Sequence, residues 1–240
     1  MPGKLSVRLA GLLSLALSLP ALFGESCAAT DLLSPQLISF QVADLPARPN
    51  SVMVFGGRMS VNNLHDTLLF NLNKPGMGYD NYTAGAAYAR DLLDPGLGFH
   101  LGVEVGVADR FGHYRECCET VITSASIIQT AELWVGPQLR YDGVLLYDLV
   151  RIGGSLTVGL SAVSGSIGRE QERQVIEQGN ARFLYFLAPE LNFSTSGAAD
   201  YELFVRVQHR SGGKLLSFLP TLGNLGEGYN ANVGGLRYRF

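Results

Sequence analysis

Two residues near the carboxy end have the types and spacing for acyl-transfer chemistry. His209 and Ser211 stand two apart in Arg206-Val207-Gln208-His209-Arg210-Ser211-Gly212-Gly213. On a strand, that spacing puts both on one face with their Cα atoms roughly 7 Å apart. An imidazole beside a hydroxyl can act as general base and turn the serine into a nucleophile toward an ester carbonyl. The plain alternative makes His209 an interfacial anchor and Ser211 the start of a loop. The choice depends on the element that carries the pair and on the medium its face meets.

That element reads as a strand. Tyr201, Leu203, Val205 and Val207 alternate with Glu202, Arg206 and Gln208. This is the period of two that separates the faces of a sheet. Continuing the parity puts His209 and Ser211 on the apolar face. The same alternation recurs over 51–62, 81–91, 97–108, 131–141, 150–160 and 183–193, and again from Asn230 to the terminal Leu236-Arg237-Tyr238-Arg239-Phe240. The 97–108 segment sets Leu97, Phe99, Leu101, Val103, Val105 and Val107 against glycine, His100, Glu104 and Ala108. It exceeds the usual length of a sandwich strand. Small and polar residues opposite branched aliphatics suit a lumen opposite lipid. The expected fold is all-β, an eight-stranded antiparallel transmembrane β-barrel of the bacterial outer membrane.

The connections support that expectation. Those near Asp94-Pro95-Gly96, Asp142-Gly143 and Gly197-Ala198 are short, whereas 63–80, 110–127, 164–181 and 212–229 are long. Short periplasmic turns and long outer loops are the outer-membrane pattern. An even strand count leaves both ends in the periplasm, so His209 and Ser211 fall level with the outer leaflet. There, a lipid-facing pair could reach a membrane ester without extracting it.

Composition agrees. The 240 residues are 47% hydrophobic and 16% charged. No stretch is long and apolar enough for a spanning helix, and a closed barrel is the other way to satisfy backbone groups in lipid. A net charge of -3 argues against a nucleic-acid partner. Lys4 and Arg8 precede an interrupted apolar run and small residues, the layout of a cleaved secretory signal. The organisation read is 1–29 as signal peptide, 30–50 as an unassigned periplasmic lead-in or short helix, and 51–240 as one barrel domain. Cys27 falls in the leader, and Phe23-Gly24-Glu25-Ser26 before it fits a lipobox poorly.

The segment from Arg206 to Gly213, followed by a glycine-containing loop and a strand ending Leu236-Arg237-Tyr238-Arg239-Phe240, resembles the lipid A deacylases of the PagL type. The motif match covers about the last quarter of the chain; the remainder matches in strand layout. The resemblance implies a serine hydrolase with a His-x-Ser motif on the penultimate strand and a membrane-facing site. It would remove the 3-O-linked acyl chain of lipid A in the lipopolysaccharide outer leaflet. It also implies recognition of the terminal Phe240 by the barrel-assembly machinery.

Two departures matter. The family usually has Asn after the serine, where this chain has Gly212. The Gly212 and Gly213 amides could still hold the oxyanion. The family's acid lies near the start of the last strand, on its lipid-facing parity, where this chain has Asn230 and Asn232; Glu227 is off that parity. Either Glu227 reaches His209 from a loop, or Asn230 orients the imidazole as a neutral third member, or the triad is absent. The chemistry needs no cofactor and no metal. The rival is a structural or interaction barrel acting through its long loops.

Other residues are read as structural. Glu104, Glu132, Arg140, Arg151, Glu190 and Arg206 lie on inward parities and are expected to pair within the lumen. Trp134 is expected to pack there. Arg169-Glu170-Gln171-Glu172-Arg173 reads as a solvated loop. Asn81-Tyr82-Thr83 fits a glycosylation sequon that a bacterial barrel does not ordinarily use. Cys117 and Cys118, with His113 nearby, make a weak metal signal. Oligomeric state is left open.

Overall fold

The structure is a computed structural model describing residues 40–42, 48–60, 62–68, 81–113, 127–147, 149–214 and 220–240. The expected signal peptide and Cys117-Cys118 lie outside these residues. Nine strands form one antiparallel sheet: β1 (Phe40–Val42), β2 (Asn50–Ser60), β3 (Tyr82–Gly96), β4 (Phe99–His113), β5 (Ile127–Leu146), β6 (Val150–Val163), β7 (Phe183–Thr195), β8 (Tyr201–Ser211) and β9 (Asn230–Arg239). β2 pairs with β9 and β5 with β6, so β2 to β9 close into an eight-stranded barrel. Closure removes the free edges that lipid does not tolerate.

β5 outruns its neighbour. Phe99, the first residue of β4, pairs with Tyr141, and beyond it Val144–Leu146 would have an open edge. β1 takes that edge, pairing Phe40, Gln41 and Val42 with Leu146, Leu145 and Val144. Within the 30–50 lead-in the described residues Phe40–Val42 form a strand, and β2 begins at Asn50, one residue before the expected start.

Asp142-Gly143 is not a turn. The chain continues as strand, with a register shift between Tyr141 and Val144 and with Gly143 at φ +99°. The reversal comes after Leu146, before β6 begins at Val150. The irregularity leaves Asp142 buried, where its carboxylate meets Arg140 and lies 2.9 Å from His100 Nε2. The sequence signal for a turn here marks a bulge.

The faces are inverted relative to a soluble domain. Val54, Leu101, Val107, Leu133, Val158 and Leu203 are exposed on the outside, while arginines and glutamates fill the lumen. Paired aromatics mark both ends: Phe99 stacked on Tyr141 and Tyr201 tilted against Tyr238 at the short-turn end, and Tyr82 stacked on Phe111 at the other. Along tilted β4, Phe99 to Phe111 corresponds to about 30 Å of membrane thickness. This apolar band between aromatic girdles embeds the barrel in a bilayer.

The lumen is an ion-paired solid. Trp134 lies between Phe55 and Phe186, and its indole N–H donates to Glu104 at 2.9 Å. Glu104 also receives both Arg206 Nη atoms, at 2.9 and 2.6 Å. Arg206 Nε reaches Glu190 at 2.8 Å, and Arg237 bridges Glu190 and Glu202 at 2.6 and 3.2 Å. Arg151 meets Glu202 at 2.6 Å, and Arg140 meets Asp91 at 2.5 Å. Alternating signs satisfy charges that would otherwise be costly to bury.

Candidate functional site

β8 presents Leu203, Val205, Val207, His209 and Ser211 on its outward parity. β9 pairs beside it, with Asn230 opposite His209 and Asn232 opposite Val207. Leu203 is 65% exposed, as a lipid-facing residue should be, yet His209 is 7% and Asn230 2% exposed. The open lipid-facing histidine expected from parity is thus corrected in one respect: the face is right, but it is covered. The described start of the first long connection lies beside it. Helix α1 (Leu64–Leu68) packs against β8 and β9, and Asn230 Nδ2 donates to the Asn62 carbonyl at 2.7 Å. Ser211 remains half-buried at the strand end.

The Asn62 contact determines the chemistry of the imidazole. A carbonyl only accepts, so it holds the nitrogen end of the Asn230 amide. The oxygen end then faces His209, with Oδ1 2.6 Å from Nδ1. An amide oxygen also only accepts, so Nδ1 carries the proton and Nε2 of the neutral ring keeps its lone pair. The result is an imidazole of fixed tautomer whose free nitrogen could accept a proton, on the same strand face as Ser211.

Glu227 is near enough for its charge to act on His209, but its ion pairs are with other groups. Its carboxylate is 3.1 Å from Arg173 Nη2 and 3.8 Å from Arg169 Nη2. Of the two candidates for third member, the structure brings Asn230 to His209 and gives Glu227 to the arginines of α2 (Gly168–Ile176). Gly212 and Gly213 follow Ser211 directly. A Cβ on Gly212 would overlap the Leu222 and Leu225 carbonyls, and Gly213 has φ +82° against the Tyr185 ring. Both positions therefore require glycine.

A buried cluster on the luminal side anchors these strand ends. Glu170 of α2 is fully buried, paired with Arg210 and, at 2.7 Å, with Arg110. Glu132 accepts from Ser161 at 2.7 Å and from the Tyr229 hydroxyl at 2.5 Å. Arg210 lies between His209 and Ser211 in sequence, and Tyr229 precedes Asn230. The inward cluster thus fixes the backbone that carries the outward site. The charge run 169–173 is corrected accordingly: it forms a helix whose Glu170 seals the mouth, because the two luminal arginines need an anion. Glu132 and Glu190 have the luminal ion-pair roles expected of them.

α2 is tied to the last loop through Glu177, which accepts from Lys214 Nζ at 2.9 Å and from the Gly226 N–H at 2.7 Å. Burial works against the charge, but Lys214 and the Gly226 amide outweigh it and hold the carboxyl below its usual range. A depressed carboxylate stabilises above its unfolded pKa, about 4.3, and loses that contribution as pH falls from there through its folded value. Amide exchange in 168–176 and 220–228 is expected to rise as pH drops below that point, after correction for intrinsic rates. Glu177→Gln should already show the raised exchange at neutral pH. Equal protection in both proteins would refute this tie.

Closure, luminal charge and an apolar belt between aromatic girdles define the class: an integral β-barrel of the bacterial outer membrane. No family model and no curated protein matches the chain. Among solved structures, it is similar to the outer membrane protein Ail of Yersinia pestis in a phospholipid bilayer nanodisc. That match has 12% identity, 80% coverage of this chain, 99% of that chain and a TM-score of 0.35. A crystal structure of Ail, the attachment invasion locus protein, matches at 13% identity with the same coverage and a TM-score of 0.34. The outer membrane protein OprG of Pseudomonas aeruginosa matches at 10% identity, 80% coverage of this chain, 96% of that chain and a TM-score of 0.35.

Proposed function

We propose that this barrel is a lipid A acyl-ester hydrolase of the PagL-like kind. The observation that supports this reading most is the His209–Asn230 hydrogen bond on the outer wall of the barrel, with Ser211 on the same face of the same strand. A histidine serving only as an interfacial anchor has no need of an amide held in one orientation by a backbone carbonyl. In the proposed reaction, Ser211 Oγ attacks the ester carbonyl and His209 Nε2 takes the hydroxyl proton. Asn230 Oδ1 steadies the imidazolium N–H, and the amides after Ser211 receive the oxyanion. The imidazolium returns the proton to the departing alcohol, and water then releases the fatty acid from the acyl-serine by the same base.

The test is mass spectrometry of lipid A from cells making this chain or its Ser211→Ala variant. Loss of one acyl chain only with Ser211 present is the expected result. Identical lipid A, with both proteins folded in the outer membrane, would reject the hydrolase and favour a barrel that works through its outer loops.

A further inference from the structure

We infer that the segment Asn62–Leu68 is a lid over the catalytic base, and that its closed position sets the tautomer of His209. The inference rests on His209 being the base of the hydrolase proposed above, but it concerns a different part of the molecule. Three observations carry it. First, Val207, His209 and Asn230 are 3%, 7% and 2% exposed, whereas Leu203 and Leu236, on the same outward faces, are 65% and 44% exposed. The bare barrel wall does not hide outward side chains, and α1 packs on β8 and β9 over this part of it. Second, the lid is a formed element. Asn63 Oδ1 caps the helix by accepting from the Asp66 N–H at 2.9 Å, and Thr67 is fully buried. Third, the lid is bonded to the machinery: Asn230 Nδ2 donates to the Asn62 carbonyl at 2.7 Å.

That bond makes Asn62 a positioning residue acting through its main chain. With the lid down, the Asn230 amide cannot turn over and Nδ1 of His209 keeps its proton. With the lid raised, the amide is free to reverse, and its NH2 group would then favour a proton on Nε2, the wrong nitrogen for taking one from Ser211. A bulky lipid ester must pass the lid edge to reach Nε2, and a settled lid restores the base. Leu64 and Leu68 lie one turn apart on α1, with Leu68 42% exposed, which gives the lid an apolar edge. Entry from the lipid side is therefore favoured over entry of a soluble ester.

The experiment uses the full chain folded in phospholipid vesicles and needs no hydrolysis. Diethyl pyrocarbonate modification of His209 is compared with that of the exposed His65 in the same molecule, and 15N-histidine spectra report the tautomer; His209→Gln assigns the signals. Covered as observed, His209 should react about tenfold or more slowly than His65 and show a protonated Nδ1. Thr67→Glu, which places a carboxylate where Thr67 is buried, should raise the His209 rate toward that of His65 and shift the proton from Nδ1. Thr67→Ser should restore both. Equal rates for His209 and His65 in the unsubstituted protein would overturn the lid even if the Thr67→Glu chain did not fold. An unchanged tautomer in folded, unlidded protein would overturn the positioning role. A confirmed lid without any ester hydrolysis would reject the proposed activity alone.

Discussion

Ser211→Ala is expected to reduce ester hydrolysis in vesicles by about 10³-fold or more, to the level left by binding and oxyanion contacts alone. The expectation follows from the division of labour at the site. In the proposed reaction Ser211 supplies the only atom that bonds to the substrate carbonyl, so nothing else would replace it. His209→Ala should fall to a similar level, and the double variant no further, because nucleophile and base act as a unit. Asn230→Ala should lose less, on the order of 10²-fold. It leaves the base in place but removes the acceptor that holds Nδ1 protonated. Glu227→Gln should cost less at the chemical step than Asn230→Ala, since Glu227 pairs with Arg173 and Arg169 and acts on His209 only through its charge. A Ser211→Ala protein that kept its rate would end the serine-hydrolase reading. A Glu227→Gln protein as impaired as Ser211→Ala would move the acid back to Glu227.

The second large effect is on stability. Arg206 joins Glu104 and Glu190 inside the lumen at 2.6 to 2.9 Å, and all three side chains are fully shielded. Arg206→Met keeps the volume and removes the charge, leaving Glu104 buried without an ion-pair partner while Glu190 keeps only Arg237. The expected cost is about 3–5 kcal/mol, the range for breaking a buried pair by removing one partner. Urea unfolding in vesicles measures it, and the single tryptophan makes a clean probe because its indole N–H is bonded to Glu104. Glu104→Gln combined with Arg206→Met should recover part of the loss, since it removes one orphaned charge. An unfolding midpoint unchanged by Arg206→Met would mean that the carboxylates protonate without penalty, and that the ladder fills space without adding stability.

Much of the fold was legible because strand alternation is a one-dimensional signal. The outward run from Leu101 to Val107 and the inward Glu104 could be assigned by parity alone, and so could Arg206 opposite Val205 and Val207. Turn chemistry was less reliable. Asp-Gly at 142–143 meets the same backbone requirement in a bulge as in a hairpin, a positive φ at glycine, so residue type could not separate the two. Phe40–Val42 escaped because three residues carry too little periodicity to read; they form a strand only because β5 leaves an edge open.

The site divides along the same line. By itself the sequence determined that His209 and Ser211 share the outer face of a penultimate strand, because side chains two apart on a strand cannot do otherwise. It also determined that Asn230 falls on the outer parity of the neighbouring strand. Only the tertiary structure decided which third residue meets the imidazole, since that depends on the register between β8 and β9 and on α2 engaging Glu227. It alone decided that Glu170 enters the barrel mouth, because a charge run does not state which of its members will find two buried arginines. The covering of His209 by Asn62–Leu68 likewise arises from contact between residues far apart in the chain. Such contacts depend on how the closed barrel brings its first loop against its last two strands, which no local pattern encodes.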